Sequence, residues 1–438
     1  MERFSTAVPA ARVNGVLDPA SFTPLTGSVP RTTLMTGGGC LEGEPVWIAA
    51  TDPSRARGAL GVAEAEALCN LFQTARREPR PLLLVIDSAG AKVDEGLHAL
   101  GAFRRLFREA LLTRLARVPM LALLGKSCFG GASMLACVCG VRVYSGQTLL
   151  AVSGPGVIET LGGKGELDAA DGAQVRALMG GEARTRLGLS EQLATDSVIA
   201  FRDSAARLLR DGVLGSSASD WMAQHSSLGQ RLTRTATDTT AAVPDDPDLS
   251  IRRLERLLPP GYAPEARGHV CLALPPAGSE RPAFLGLLSG GVVGAPACWQ
   301  LADALLDLHR SNPKCPVLLL LDAVGHAATR RDEASMLSAY LAHLSLTGGW
   351  LAQCGHDVSL WIPGAAAGAV YVAFAAPAKR VSALHSARIR ILPEAAVRQI
   401  LGAGEERPVD TDALLDTGVI DAFLDPRLEG YAAVASAS

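Results

Sequence analysis

Aromatic residues are scarce in this chain, and its charges are nearly balanced. Phe, Trp and Tyr make up 5% of the 438 residues, and the formal net charge is -3 at pH 7. Proteins that bind nucleic acids need a basic surface for the phosphates, and those that bind single strands add aromatic side chains on which the bases stack. The composition therefore argues against a nucleic acid as a partner.

Long apolar runs and paired cysteines are also lacking. No apolar stretch is long and clean enough to cross a bilayer, and the start "MERFSTAVPAARVNG" has no apolar region of the kind found in secretory signals. The nine cysteines are scattered, and Cys137 and Cys139 have no second pair at zinc-ligand spacing. We therefore expect a cytoplasmic protein with reduced, buried thiols, no membrane partner and no metal site.

What the chain does have is apolar segments that alternate between strand and helix patterns. "RPLLLVIDSAGAKVDEG" is an apolar run of strand length that ends in a turn of small residues, and a segment with helical spacing of apolar residues follows it. "PMLALLGKSCFGGASMLACVCG" again has the order strand, small-residue turn, helix. Buried strands that alternate with helices predict the α/β class.

The second half of the chain repeats this order of elements. Residues Leu82 to Gly90 align with Val317 to Gly325, and Leu121 to Ala136 align with Val358 to Ala373. Between the halves lies a stretch rich in Ser, Thr, Asp and Pro, a composition that is typical of a linker. We predict an internal duplication, with domains at residues 1–225 and 248–438 and a linker at 226–247.

The adjacent glycines Gly130 and Gly131 at the end of a predicted core strand have two explanations. One is a tight turn that needs positive φ or close packing. The other is an oxyanion hole, in which backbone N–H groups point at a carbonyl oxygen that gains negative charge. A second small-residue turn, from Ser88 to Lys92, precedes the pair by one strand–helix unit, so each turn is able to contribute one N–H to the same oxygen.

Specific motifs in both halves resemble a known family. "DSAGAKVDEG", "GKSCFGGASMLA" and "SGPGVIETLGGKGELDAADGAQVRALMGG" look like the β subunit of biotin-independent malonate decarboxylase, and "LLLLDAVGHAATRRDEASMLSAYLAHLS" is similar to its γ subunit. The resemblance covers nearly the whole chain as a β–γ fusion. It implies two crotonase-like carboxyltransferase domains of the ββα spiral type, which pack face to face as an intramolecular pseudo-dimer.

The same resemblance implies roles for individual residues. Those implied at the reacting carbonyl are Gly90, Ala91, Gly130, Gly131, Gly325, His326 and Gly368. Those implied to bind the substrate are Ser88, Lys92, Cys128, Phe129, Ser153, Gly154, Pro155 and Glu159. The second half departs from the family pattern, because "GAAAGAV" keeps only Gly368 of the family's more open glycine loop, and this weakens the expectation of a second working site.

Several charged and polar residues have open roles. His326, Glu159 and Tyr340 are the candidates for a proton donor, although Glu159 and Tyr340 fit structural roles better. Lys92 or Lys126 would attract the phosphate of a substrate arm or an acidic carrier protein. The charged run from Arg330 to Glu333 is typical of a helix start with one solvated face.

The chemistry implied by the resemblance is decarboxylation of a malonyl thioester to the acetyl thioester. No cofactor is expected in the chain itself, because the thioester would arrive on the phosphopantetheine arm of an acyl carrier protein or on coenzyme A. A homo-oligomer is compatible with this expectation. Two alternatives stay open, namely a carboxyltransferase that passes CO2 to biotin on another chain, and a scaffold without activity that binds the carrier protein.

Overall fold

A computed structural model describes residues 2–25, 32–188, 190–212, 218–235, 246–276, 279–392 and 412–428, together with Tyr431. Two compact units are present. Unit 1 comprises Met1–Glu95, Arg105–Ser227 and Ala328–Ala339, and unit 2 comprises Gly96–Arg104, Leu228–Ala327 and Tyr340–Ser438. Each unit therefore includes a short segment from the other half of the sequence.

The first half of the sequence alternates strands and helices. Its strands are β1 (Thr23–Pro24), β2 (Met35–Leu41), β3 (Glu44–Ala50), β4 (Leu82–Ser88), β5 (Met120–Phe129), β6 (Val141–Tyr144), β7 (Leu149–Ala151) and β8 (Glu191–Leu193). Its helices are α1 (Pro9–Val16), α2 (Val62–Arg77), α3 (Gly96–Leu115), α4 (Gly131–Val138), α5 (Pro155–Gly162), α6 (Gly172–Met179), α7 (Gly181–Thr185), α8 (Val198–Arg210) and α9 (Ala218–Thr235).

The second half repeats this alternation. Its strands are β9 (Pro264–Arg267), β10 (Val270–Ala273), β11 (Ala283–Leu287), β12 (Val292–Val293), β13 (Val317–Leu321), β14 (Gly325–His326), β15 (Val358–Ile362), β16 (Ala365–Ala367), β17 (Arg380–Ala383), β18 (Arg388–Arg390) and β19 (Ala422–Phe423). Its helices are α10 (Pro247–Glu255), α11 (Ala295–Ser311), α12 (Arg330–Ala334), α13 (Leu337–Gln353), α14 (Gly368–Ala375) and α15 (Asp412–Asp416).

The two main sheets have the same topology. In unit 1 the strand order is β1-β2-β3-β4-β5-β6-β8, with β7 also paired to β5. In unit 2 it is β19-β17-β15-β13-β11-β10-β9, and the short pairs β12–β14 and β16–β18 lie outside that sheet. Each sheet starts with an antiparallel hairpin, β2–β3 or β10–β11, and continues with parallel strands. The predicted α/β class and the repeated element order are confirmed.

Burial explains why the central strands form. All seven residues of β4, "LLLVIDS", are buried, and so are all five of β13, "VLLLL". Parallel strands that are covered on both faces need continuous apolar sequence rather than alternation. The hydrophobic core of unit 1 includes Leu83 and Val85 of β4 and Leu121 and Leu123 of β5, together with Phe201 of α8.

Part of the segment predicted as a linker, residues 226–247, is helical in the structure. Helix α9 runs to Thr235, so residues 226–235 are helical, and residues 236–245 lie outside the described residues. Trp221, His225 and Leu228 are buried at helical spacing. Burial of this face favours a helix despite the polar composition of the segment. The domain boundaries themselves stay a prediction.

Candidate active site

The candidate site of unit 1 is built at the carboxyl ends of β4 and β5. These neighbouring strands are parallel, so the turns that follow them emerge at the same edge of the sheet. Ser88 pairs with Cys128 after a shift in register beyond Ile86. The sheet therefore brings together the two turns that the sequence analysis singled out, Ser88 to Lys92 and Phe129 to Gly131.

A buried carboxylate, which the sequence analysis missed, ties the two strand ends together. Asp87 Oδ2 accepts a hydrogen bond from the Lys126 N–H at 3.1 Å, and its Oδ1 accepts one from the Ser127 N–H at 3.0 Å. The Arg12 Nη2 atom lies 2.8 Å from Asp87 Oδ2, and both side chains are buried. Gly125 is required opposite this carboxylate, because a Cβ there would lie 2.5 Å from Asp87 Oδ2.

The two turns approach each other closely through glycines. Gly90 has φ of +109° and Gly130 has φ of +57°, a region that favours glycine. A Cβ on Gly130 would lie 3.4 Å from the Gly90 Cα, and a Cβ on Gly90 would lie 3.2 Å from the Phe129 carbonyl oxygen. Positive φ therefore favours glycine at both positions, and the close approach of the Phe129 carbonyl adds a steric reason at Gly90.

Hydrogen bonding divides the four candidate N–H donors into two classes. The Gly90 N–H donates to Ser88 Oγ at 3.1 Å, and the Gly130 N–H donates to the Val152 carbonyl at 3.2 Å. Within the part of the chain that the structure describes, the N–H groups of Ala91 and Gly131 donate to no acceptor. Both residues are partly exposed, and their N–H groups are therefore the candidates for contact with a ligand.

The backbone around each of these two N–H groups is held by regular structure. Around Ala91, the Leu60 N–H donates to the Gly90 carbonyl and the Lys92 N–H donates to the Leu60 carbonyl, both at 2.8 Å. Gly131 is the first residue of α4, so its N–H points out of a helix N-terminus, where the helix dipole favours negative charge. The chemistry that fits such a pair of donors is stabilisation of an oxygen anion.

Most of the predicted substrate-binding side chains around the turns are buried or already paired with other groups of the protein. Lys92 Nζ lies 2.7 Å from Glu64 Oε2 and 3.7 Å from Glu95 Oε1, so its charge is balanced by two carboxylates. Cys128 is buried, and burial raises the pKa of its thiol well above the usual range. Phe129 is partly buried, whereas Lys126 is exposed at the same strand end. Of the two lysines, Lys126 is the one whose side chain is open to an anionic partner.

The Ser-Gly-Pro motif forms the start of α5, beside the second turn. Gly154 precedes this helix and Pro155 is its first residue, where the fixed φ of proline suits a helix. The Ser153 N–H donates to Glu333 Oε1 at 2.7 Å. Glu159 accepts a hydrogen bond from the Ala169 N–H at 3.1 Å, which is a structural role.

Glu333 and Arg184 form a buried pair in unit 1 that the sequence analysis did not find. Their side chains are fully buried, and Arg184 Nη2 lies 3.5 Å from Glu333 Oε2. Burial raises the pKa of Glu333 to about 7, although Arg184 and the hydrogen bond from Ser153 act in the opposite direction. The charged run does begin a helix, with Thr329 as the N-cap, but only Arg330 in it is fully exposed. The expected solvated face is therefore wrong for Asp332 and Glu333.

The remaining candidates, Gly325, His326 and Gly368, belong to unit 2. Gly325 has φ of +153° and Gly368 has φ of +51°, and a Cβ on Gly368 would lie 3.0 Å from the Ile391 carbonyl oxygen. His326 is buried, and burial lowers its pKa to about 4, so its imidazole is neutral near pH 7. Tyr340 is buried and donates to the Leu228 carbonyl at 3.0 Å, as expected of a core residue.

The described residues offer neither a cluster of metal ligands nor a membrane span. Among these residues, no group of three or more His, Cys, Asp or Glu side chains is placed to hold a metal ion. None of the helices described is both long and apolar enough to span a bilayer.

Comparison with known families identifies the two halves. Residues 12–194 match the model of the carboxyl transferase domain, and residues 289–411 match that of the malonate decarboxylase gamma subunit. The first half of the chain is thus similar to carboxyl transferase domains, and the second half is similar to the malonate decarboxylase gamma subunit. The candidate site at Ala91 and Gly131 lies within the carboxyl transferase match, and Gly325, His326 and Gly368 lie within the gamma-subunit match.

Curated relatives of this chain are enzymes or enzyme subunits. It is 26% identical over 240 residues to the malonyl-S-ACP:biotin-protein carboxyltransferase MADC of Malonomonas rubra, covering 47% of this chain and 75% of that protein. It is 27% identical over 217 residues to the biotin-dependent acetyl-/propionyl-coenzyme A carboxylase beta5 subunit of Mycobacterium leprae, covering 49% of this chain and 39% of that subunit.

Among solved structures, one that the chain resembles is the malonate decarboxylase hetero-tetramer of Pseudomonas in complex with malonate. The TM-score is 0.48 at 22% sequence identity, and the match covers 56% of this chain and 94% of that chain.

Proposed function

We propose that this protein decarboxylates a malonyl thioester to the acetyl thioester at the Ala91–Gly131 site. The observation that carries the proposal is the pair of accessible N–H groups, from Ala91 and Gly131, on two turns that approach each other at one edge of a sheet. The family matches of both halves support the same reaction class.

The two N–H groups fit the charge that this reaction develops. When the bond between Cα and the carboxylate breaks, its electron pair moves into the thioester and forms an enolate whose negative charge rests on the carbonyl oxygen. Donors already aimed at that oxygen stabilise the transition state more than the ground state, because the charge is absent at the start. CO2 leaves, and the enolate carbon takes up a proton to give the acetyl thioester.

We propose that the charged form of His326 does not donate the proton. Burial lowers the pKa of this side chain to about 4, so near neutral pH it is an imidazole and has no imidazolium proton to give. Gly325, His326 and Gly368 are the counterpart in unit 2 of the Ala91–Gly131 turns. We propose that the Ala91–Gly131 site carries the reaction.

The substrate would be presented on a carrier arm. The name of the Malonomonas relative specifies malonyl-S-ACP, which supports an acyl carrier protein as the partner here. Lys126 is exposed at the end of β5, at the edge of the sheet that holds the site, and its positive charge would attract an acidic carrier surface. Lys92 is a weaker candidate, because two carboxylates already balance its charge.

The decisive experiment measures products with and without a biotin carrier. Malonyl thioester on acyl carrier protein, and separately malonyl-CoA, would be incubated with the purified chain, and CO2 and acetyl thioester would be quantified. We expect both products in equal amounts without biotin. Carboxyl transfer that occurs only when a biotin carrier is added would instead establish a carboxyltransferase, and binding of the carrier protein with no turnover would establish a scaffold.

A further inference from the structure

The Gly130–Gly131 turn is supported by a segment from the other half of the sequence. Residues Ala328–Ala339 belong to unit 1, although they follow the turn by about two hundred positions in the chain. This segment, which we call the crossing segment, contains α12 and the start of α13. Two chains of hydrogen bonds connect it to Gly130.

The first chain runs from the crossing segment through the end of β7. Glu333 Oε1 accepts the Ser153 N–H at 2.7 Å, and the Glu333 carbonyl accepts from Arg184 Nη1 at 2.6 Å. Arg184 also donates from Nε and Nη2 to the Leu150 carbonyl, at 3.0 and 2.7 Å. The backbone from Leu150 to Ser153 is thereby held, and Val152 within it accepts the Gly130 N–H.

The second chain runs through two serine hydroxyls. Ser338 Oγ lies 2.7 Å from Ser133 Oγ, and Ser133 Oγ donates to the Gly130 carbonyl at 2.7 Å. Because the Ser133 proton is used on Gly130, the Ser338 hydroxyl is the donor between the two serines. The Gly130 N–H is therefore held by a carbonyl that the crossing segment supports. The Gly130 carbonyl accepts from the Ser133 hydroxyl, which the crossing segment contacts, and also from the Ser133 and Met134 N–H groups of α4 itself.

We propose that Glu333 is a positioning residue, which acts through Ser153 and Val152 to fix the direction of the Gly131 N–H. The proposal rests on the proposed function, because it concerns the same oxyanion site. Val152 accepts the Gly130 N–H, which lies in the peptide just before the one that carries the Gly131 N–H. Loss of this bond would let the backbone at Gly130 shift, and the Gly131 N–H would move with it away from the substrate oxygen. A misplacement of about 1 Å can cost a hundredfold in rate.

The test separates the acceptor oxygen of Glu333 from its charge. Glu333→Gln keeps an oxygen that is able to accept the Ser153 N–H, whereas Glu333→Ala removes it. Glu191→Ala is the matched control, because Glu191 Oε1 also pairs with a buried arginine in unit 1, with Arg142 Nη2 at 2.8 Å. Arg142 donates to the Cys139 carbonyl at the opposite end of α4 from the turn, so this control disturbs the same helix without touching Gly130.

Two measurements would be made on folded protein at matched concentration. The first is turnover of malonyl thioester, and the second is amide hydrogen exchange of peptides that cover Gly130 to Met134 and Val152 to Ser153. We expect Glu333→Ala to lower kcat by about a hundredfold, with little change in KM, and to speed exchange in both peptides. We expect Glu333→Gln to restore both readouts to within a few fold of wild type, and Glu191→Ala to leave them unchanged.

The exchange readout keeps this inference separate from the proposed function. If the wild-type protein does not turn over malonyl thioester, the proposed function fails, and exchange at the turn still reports whether Glu333 holds it. If Glu333→Ala does not fold, Glu333→Asp serves as the milder variant, because its shorter side chain withdraws the acceptor oxygen from the Ser153 N–H, and faster exchange in the same two peptides is expected. Unchanged exchange in the variant that folds, or equal losses in Glu333→Ala and Glu191→Ala, would overturn the positioning role.

Discussion

The proposed chemistry depends on two peptide N–H groups. The one at Gly131 is removed by a single substitution to proline. Gly131 is the first residue of α4, a position at which proline is well tolerated because no intrahelical hydrogen bond is lost. Gly131→Pro removes the donor and places the proline ring at its position. We expect turnover to fall by about a hundredfold or more, the scale seen when an oxyanion-hole donor is lost, while Tm changes little.

The control for this variant is Gly131→Ala, which keeps the N–H. We expect it to lose much less activity than Gly131→Pro, since only a methyl group is added. Turnover and Tm would be measured on the same samples. Equal activity of the proline variant and wild type would remove Gly131 from the mechanism.

A buried histidine in unit 2 makes the free energy of unfolding depend on pH in the acidic range. His326 has a pKa of about 4 in the folded protein against an ordinary value of 6.5, because burial disfavours its charged form. The unfolded chain binds the proton first, so the stability contributed by a neutral His326 is present above pH 6.5 and is lost as the pH falls from 6.5 to 4.

The corresponding experiment compares urea unfolding at pH 7 and pH 4.5. We expect His326→Gln to lose less stability than wild type between these pH values, since glutamine does not titrate. His98→Gln is the control, because His98 is exposed on α3. An unchanged pH dependence in His326→Gln would show that this burial does not control the acid response.

The residues of the site differ in how far the sequence could predict them. Gly130 and Gly131 are visible because adjacent glycines at a strand end are unusual and have a direct conformational meaning. Glu333 and Arg184 are not visible, because the hydrogen bond between them joins residues 149 positions apart, and local spacing holds no information about such a contact. Asp87 is hidden for a similar reason, since a carboxylate after an apolar strand reads as the start of a turn.

At the scale of elements, β4 and β5 are held together at their ends by the Asp87 carboxylate. Asp87→Ala would leave the Arg12 guanidinium buried without its partner, and it would free the Lys126 and Ser127 N–H groups. We expect a loss of about 3–5 kcal/mol in the free energy of unfolding, the usual cost of removing one member of a buried ion pair.

The matched control removes an exposed ion pair. Glu78→Ala breaks the contact between Arg80 and Glu78, whose side chains are 37% and 57% exposed, and we expect a change of no more than about 1 kcal/mol. Urea unfolding at pH 7 measures both. A loss for Asp87→Ala as small as that for Glu78→Ala would show that the carboxylate does not support the strand ends.

Elements with continuous or periodic apolar sequence were predictable, and those with mixed composition were not. The runs around β4, β5, β13 and β15 gave strands, and "SMLSAYLAHLSLTGGWLAQCG" gave most of α13. The composition predicts a linker for the second half of α9, because Ser, Thr and Arg make up most of it. The spacing of Trp221, His225 and Leu228 is the signal that identifies this helix, and the buried faces of these residues confirm it.

At the scale of the whole molecule, the two halves of the sequence are not two self-contained folding units. The crossing segment, Ala328–Ala339, is part of unit 1, and Gly96–Arg104 is part of unit 2, where Arg104 pairs with Asp421 at 2.6 Å. A chain cut between residues 235 and 246 would separate each unit from a segment that it needs.

We expect the two fragments of such a cut chain to be poorly soluble when each is produced alone. Each would lack buried contacts, such as the pairing of Arg184 with Glu333 in unit 1. Production of both fragments in the same cell should restore soluble protein with a Tm near that of the intact chain. A stable, soluble first fragment alone would contradict this expectation.

The crossing segment also fixes when the proposed active site is completed during protein synthesis. The ribosome makes Ala91 and Gly131 early, but Glu333 and Ser338 emerge only after most of unit 2 has been translated. Until then Val152 and Ser133, which bond to Gly130, lack their partners from the crossing segment, and the proposed oxyanion site in the first half is not yet fully supported. A nascent chain arrested before Ala328 would therefore hold a sheet but no competent catalyst, and activity would appear only when the second half has been released.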